Sequence, residues 1–221
     1  AIDRKGLVDF KGALVSRPAV SIVPSGYFGT DEASAQQTLD IAKAKALLTE
    51  AGYPNGVTVK TIHTTLPGMQ STIEAVQAQL KKAGITLDIE LVEHATFHAK
   101  IREDLSPIVH YAAARFPVAD VYLTQFYHSR SQVKTPTAVT NFTHCTVADK
   151  DIEAARVEPD AAKQKALWKS AQDKLIKDVC GIGLFEQLQV WAWRDTLDLG
   201  YDLKGALNLS VPITEKTKFK Q

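Results

Sequence analysis

Between Gly56 and Glu93 the sequence switches period twice. Val57 to Thr65 is dense in β-branched residues, and further on Ile85, Leu87, Ile89 and Leu91 alternate strictly with Thr86, Asp88 and Glu90. A period of two is that of a strand with one apolar face. Between these stretches Ile73, Val76, Leu80 and Ala83 recur at steps of three and four, which is the spacing of a helix with one buried stripe. Gly84 stands where a left-handed cap closes such a helix. A helix placed between two strands by short turns rules out a hairpin, so the strands are predicted to run parallel with a right-handed crossover. This unit commits the chain to the α/β class, a mixed sheet with flanking helices.

The remaining segments fit around it. AIDRKGLVDF sets Ile2, Leu7, Val8 and Phe10 on one side of a short helix ended by Gly12, and residues 13–39, with Pro18, Pro24, Gly26 and Gly29, predict an irregular connection. Asp40 caps a helix through Ala51 whose apolar stripe is Ile41, Ala44, Leu47 and Leu48, with Gly52 just beyond its end. Thr96 to Asp104 predicts a short helix, Ile108 to Ala114 a buried strand, and Asp120 to His128 another helix. Asp149–Glu158 and Asp160–Asp178 form two more, separated at Pro159, the second burying Leu167, Trp168, Ala171, Leu175 and Ile176. Gly181 to Trp193 reads as a strand, and the last 28 residues carry little periodic signal.

Composition removes several classes of function. The 26 basic and 25 acidic side chains leave a formal charge of +1, and no local basic patch is present, so nothing marks a nucleic-acid partner. No stretch approaches the roughly 20 apolar residues of a membrane-spanning helix, and no leader sequence opens the chain at Ala1. The expectation is a soluble domain, its 45% hydrophobic residues sufficient for a core. Two cysteines, Cys145 and Cys180, stand 35 residues apart; an exported protein would allow them one disulfide, and two buried thiols are the alternative.

Sites of covalent chemistry are hard to find. His94 and His98, four apart, share one helical face beside Glu93, but a catalytic zinc motif places its glutamate between the two histidines, and no metal is assigned. His63, His110, His128 and His144 are scattered. There is no GxSxG turn and no phosphate-cradling loop, so no cofactor is expected, and VCGIG around Cys180 has no evident base. Aromatic and basic side chains do gather near predicted strand ends: Tyr111, Arg115, Phe116 and Tyr122, then Trp191, Trp193 and Arg194. Rings can stack on a ligand while a guanidinium holds an anion; core packing is the alternative for the tryptophans. Arg115 follows an apolar strand, at the carboxyl end where open α/β sheets bind ligands.

The order of these segments resembles a known family. AIDRKGLV, KAKALLTEAGYPNGVTV, IEAVQAQLKKAGITLDIELVEHATF, ARFPVADVYLTQFYHS and DAAKQKALWKSAQDKLIKDVCGIGLFEQLQVWAWR are similar, in order, to the third domain and closing tail of the periplasmic binding proteins of the oligopeptide, dipeptide and nickel family, extracellular solute-binding protein family 5. The resemblance implies a type II periplasmic-binding-protein lobe over residues 1–190, a tail over 191–221 returning to an N-terminal lobe absent from this sequence, and a hinge strand near Leu184 to Val190. It also implies an extracytoplasmic location, an ABC permease as partner, and a small-molecule or peptide ligand taken without catalysis.

Peptide binders of the family carry an acidic residue in a motif of the form WxADY, which holds the ligand's amino terminus. Here Arg115 falls at the acidic position and Ala112 at the tryptophan. A cation cannot hold an ammonium group, so the ligand is expected to carry an anion, as an opine-like, acidic sugar or modified peptide compound does. The ligand-binding residues expected are Tyr111, Arg115, Phe116 and Tyr122. Two rival readings are a sensor or chaperone lobe and a zinc hydrolase using His94 and His98.

Overall fold

The computed structural model describes residues 1–34, 36–135, 140–202 and 211–220. In chain order the helices are α1 (Arg4–Lys11), α2 (Ile41–Glu50), α3 (Pro67–Lys82), α4 (His94–Arg102), α5 (Ala119–Tyr127), α6 (Asp149–Val157) and α7 (Ala161–Lys177). The strands are β1 (Ser16–Pro18), β2 (Val57–Thr64), β3 (Ile85–Val92), β4 (Phe185–Gln187), β5 (Leu197–Asp198) and β6 (Lys218–Phe219).

The strand, helix and strand unit forms as its periods dictate. β2 and β3 pair in parallel along their whole length, from Val57 opposite Ile85 to Thr64 opposite Val92. α3 packs on them through Ile73 and Val76, which bury with Leu7 of α1 and Leu87 of β3. Pro67 starts the helix, where its missing N–H costs nothing, and Gly84 ends it at φ +90°. The alternation of β3 holds in burial as far as Ile89, whereas Leu91 at the strand's end is 42% exposed.

The mixed pairing predicted for the sheet is divided among three two-stranded pieces, one parallel and two antiparallel. β1 lies within the predicted connection 13–39 and pairs with β4. β4 keeps only three residues of the predicted strand 181–193, because its partner ends at Pro18, which has no N–H for the ladder.

Ile108 to Ala114 is not a strand. The segment runs beside β2, but hydroxyl side chains take the positions of the ladder: Thr61 Oγ1 donates to the Ile108 carbonyl at 2.8 Å, and the Ile62 N–H donates to Ser106 Oγ at 2.9 Å. Pro107 removes the N–H that would begin a ladder. Covered by this segment and by α4, the second half of β2 is buried throughout, Thr61 to Thr64.

α2 also departs from expectation. None of its residues is buried and Leu47 is 52% exposed, so its apolar stripe has no core to face among the described residues.

A second core is helical. Trp168, Ala171 and Leu175 of α7 bury with Ala119 and Leu123 of α5, Ile152 and Ala155 of α6, and Ile22 and Val23 of the connection. Gly29, at φ +90°, lies so close to Trp168 that a Cβ there would stand 2.3 Å from the indole. Asp160 caps α7 by accepting from the N–H groups of Ala162 and Lys163, and Pro159 separates it from α6 as expected. Cys145 and Cys180 are joined in a disulfide, Cα to Cα 5.9 Å, which ties the end of α7 to the loop before α6.

Candidate functional site

Parallel pairing brings Thr64 and Val92, the carboxyl ends of β2 and β3, to one edge. α4 starts there. Glu93 accepts from the N–H groups of Ala95 at 2.7 Å and Thr96 at 3.2 Å, so the helix begins two residues before Thr96 and this carboxylate serves as its cap. Phe97 and Ile101 point inward against Ile62, with Val109, Tyr111 and Phe142 closing the cluster. The outer side of α4 carries His94 and His98.

From this edge a run of rings crosses to α5. His98 meets Tyr111 edge-on at 5.9 Å between centroids, Tyr111 lies 6.1 Å from Phe126 and 5.4 Å from Phe142, Phe126 lies 5.3 Å from Tyr122, and Tyr122 meets Tyr27 edge-on at 5.6 Å. Such offsets suit the ring quadrupoles. Arg115 sits over the Phe126 ring at 5.0 Å, its Nε donating to Gln125 Oε1 and its Nη1 to the Ala114 carbonyl. No carboxylate among the described residues pairs with it. The guanidinium is therefore held in place by neutral partners, with its charge uncompensated.

The four expected residues differ in where they lie. Tyr111 and Arg115 are half-buried at the edge and Phe116 is 67% exposed. Tyr122 belongs to the core, where burial raises the pKa of its phenol far above the usual value and its O–H donates to the Ala113 carbonyl at 2.6 Å. Its hydrogen bond holds the segment that carries Tyr111, Arg115 and Phe116. Trp191, Trp193 and Arg194 are not brought to this edge: they follow β4 in irregular backbone, Trp193 46% exposed, and no ring contact or side-chain hydrogen bond among the described residues links them to Arg115.

Sequence reasoning missed Gln125, Phe126 and Tyr27. The first two stand three and four residues after Tyr122, on one helical face, and that spacing was the available signal. Tyr27, whose O–H donates to the Arg115 carbonyl at 3.2 Å, comes from a connection without periodicity.

His94 and His98 bring their Nε2 atoms to 3.3 Å, and His94 Nδ1 lies 3.1 Å from Thr64 Oγ1. Burial, then the charges of His94 and Arg102, lower the pKa of His98, whose Nδ1 is buried without a partner. Among the described residues no third His, Cys, Asp or Glu joins them. A separate concavity of about 670 Å³ lies behind Pro117, lined by Phe28, Asp31, Lys165 and Lys169. The Lys169 ammonium there is already paired with Asp31 and Asp173, so it offers less to an anion than Arg115 does.

Comparison with known proteins gives a consistent picture. Residues 1–134 match the model of the family described as bacterial extracellular solute-binding proteins, family 5 Middle. The glutathione-binding protein GsiB of Salmonella choleraesuis strain SC-B67 is 28% identical over 186 residues, 80% of this chain and 36% of that protein. The solute-binding protein MoaA from A. tumefaciens R10, solved in complex with mannopinic acid, is 48% identical over the whole of this chain and 45% of its own, with a TM-score of 0.88. The periplasmic binding protein DppA of Helicobacter pylori, solved with the peptide STSA, shares the fold at a TM-score of 0.73 and 21% identity over 83% of this chain and 36% of its own. The chain thus spans about a third of the curated relatives it matches.

Proposed function

The chain belongs to family 5 of the bacterial extracellular solute-binding proteins, and from that premise we propose that it is one lobe of the binding component of an ABC importer, holding a small polar solute by an anionic group on Arg115. The observation that carries this reading is the guanidinium itself, oriented by Gln125 and Phe126 beside exposed Phe116 and left without a carboxylate among the described residues. A fixed cation with no counter-ion among the described residues is arranged for one that arrives with the ligand.

Two relatives support an acidic ligand in their names, one solved with mannopinic acid and one described as binding glutathione. An opine-like acid, or a modified peptide with a free carboxylate, meets the same requirement. The aromatic surface of Tyr111 and Phe116 then stacks on the solute's body. No covalent step is needed; capture and delivery to a membrane permease is the whole activity. The rest of the pocket comes from a second lobe outside these 221 residues, a reading supported by the share of its relatives that the chain spans.

Calorimetric titration of the protein with mannopinic acid, glutathione and a dipeptide blocked at both termini, which carries no charge, tests this. Binding of an acid should weaken about 10- to 100-fold in Arg115→Ala, the value of a charge-assisted contact, and little for an uncharged ligand. If Arg115→Ala binds its acid as wild type does, the assignment of Arg115 is wrong.

A further inference from the structure

Tyr122, Gln125 and Phe126 lie on one face of α5, at the spacing of a single turn, and each holds a different part of the same segment. Tyr122 O–H donates to the Ala113 carbonyl, Gln125 Oε1 accepts from Arg115 Nε, and the Phe126 ring lies 5.0 Å from the guanidinium. Gln125 is itself anchored, its carbonyl accepting from Thr140 Oγ1 at 3.0 Å. A guanidinium has five donors and no acceptor, so only the amide oxygen of Gln125 can face it.

A carboxylate of the same shape at position 125 would hold Arg115 in the same place and cancel its charge. The amide orients the guanidinium and leaves the charge standing. Its ionisable neighbours do not cancel it either: Asp120, in the first turn of α5, is paired with Arg156, and the phenols of Tyr27 and Tyr122 keep their protons because burial raises the pKa of both. We infer that Gln125 is a specificity-determining residue of this site: its neutral amide fixes Arg115 as a cation for the solute's carboxylate, and amide in place of acid at this one position sets a preference for anionic solutes. Gln125 acts through Arg115, as a positioning residue. The inference rests on the proposed reading of Arg115 and adds to it the residue that keeps the charge available. A negative side chain at position 125 would both neutralise the guanidinium and repel an incoming acid, so the preference would pass to uncharged solutes.

The experiment compares Gln125→Glu, which keeps the hydrogen bond and adds a charge, with Gln125→Met, which keeps the shape and loses the bond. Calorimetry with mannopinic acid, glutathione and a dipeptide blocked at both termini gives the affinities, and the Arg115 Nε–H resonance reports whether the guanidinium stays held. Gln125→Glu should weaken binding of the acid about 10- to 100-fold, as Arg115→Ala does, with the Nε–H signal still in place and the blocked dipeptide little affected. Gln125→Met should broaden that signal by exchange with water, yet weaken the acid only about 2- to 10-fold. A merely structural role predicts the reverse order, so Gln125→Glu binding the acid as wild type does, or better than Gln125→Met, would overturn the inference. If Arg115→Ala weakens the acid and Gln125→Glu does not, this inference alone fails; if neither does, the reading of Arg115 fails with it. Wild type supplies a check that needs no variant: its Arg115 Nε–H signal should be present without solute and move when the acid is added, and a signal unmoved by either acid overturns both.

Discussion

His63 Nδ1 lies 3.1 Å from the Thr64 carbonyl and must donate there, so its Nε2 can only accept, and it does so from His110 Nδ1 at 2.9 Å. Both rings are neutral in this arrangement. Burial lowers the pKa of each, and for His110 burial with the charges of His63 and Lys11 brings it down to about 4. The ordinary value of about 6.5 belongs to the unfolded chain, which therefore binds the proton first as pH falls. Stability from the pair is complete above about pH 6.5 and is lost down to about pH 4, by as much as about 3 kcal/mol for His110 alone. Thermal melts across this window should show wild type falling more steeply than His110→Asn; parallel curves would refute the pairing. Tyr122→Phe removes the bond to the Ala113 carbonyl and should cost about 1 kcal/mol, with a several-fold loss of solute affinity as the Arg115 segment loosens. Unaltered affinity would mean that Tyr122 has no part in presenting the site. At this scale the sequence singled out Tyr111 and Arg115 as the end of a strand that does not form, and their part in binding is the proposal made above. The His63 and His110 pair joins residues 47 apart, and no local pattern encodes it.

Elements were legible where packing and local period agree. α3, α6 and α7 lie where their spacing puts them, and Asp40 and Asp160 cap the helices they precede. Residues 108–114 deceived because an apolar, small-residue run satisfies a strand template, while the hydrogen bonds that hold it come from Thr61 and Ser106 in other segments. Ser106→Ala removes the acceptor of the Ile62 N–H in buried surroundings and should destabilise by about 1–3 kcal/mol. Amide exchange at Ile62 should accelerate. Protection equal to wild type would show that the hydroxyl does not anchor the segment. The disulfide closes a 35-residue separation around α6 and α7, and a loop of that size contributes about 3–4 kcal/mol by restricting the unfolded chain. Denaturant melts of Cys145→Ser with Cys180→Ser should show that loss; equal midpoints would place the stability of the helical layer in its Trp168 core instead.

At the scale of the molecule, a type II periplasmic-binding-protein lobe was readable because several weak segments occur in one order, although none is specific alone. What lay beyond reach is how the ends are used. The described hydrogen bonds of residues 194–220 run within that stretch, as where Lys220 N–H donates to the Thr196 carbonyl and Tyr201 O–H to the Pro212 carbonyl. β1 and β4, by contrast, bind residues near both ends into one ribbon, reinforced by Arg17 and Ser25 on Glu186. Under the proposal of a second lobe, the hinge falls at this ribbon. If solute is gripped between this lobe and a second one, removal of the second lobe removes half the contacts and the closure that excludes water. Affinity then falls far more than in Arg115→Ala alone. Parallel titrations of the longer protein and of residues 1–221 with the same acid should give saturable binding in the first and at least about a hundredfold weaker binding in the second, about 3 kcal/mol. Equal affinities would mean that Arg115 and its aromatic neighbours form a complete site on one lobe, and that closure serves only recognition by the permease.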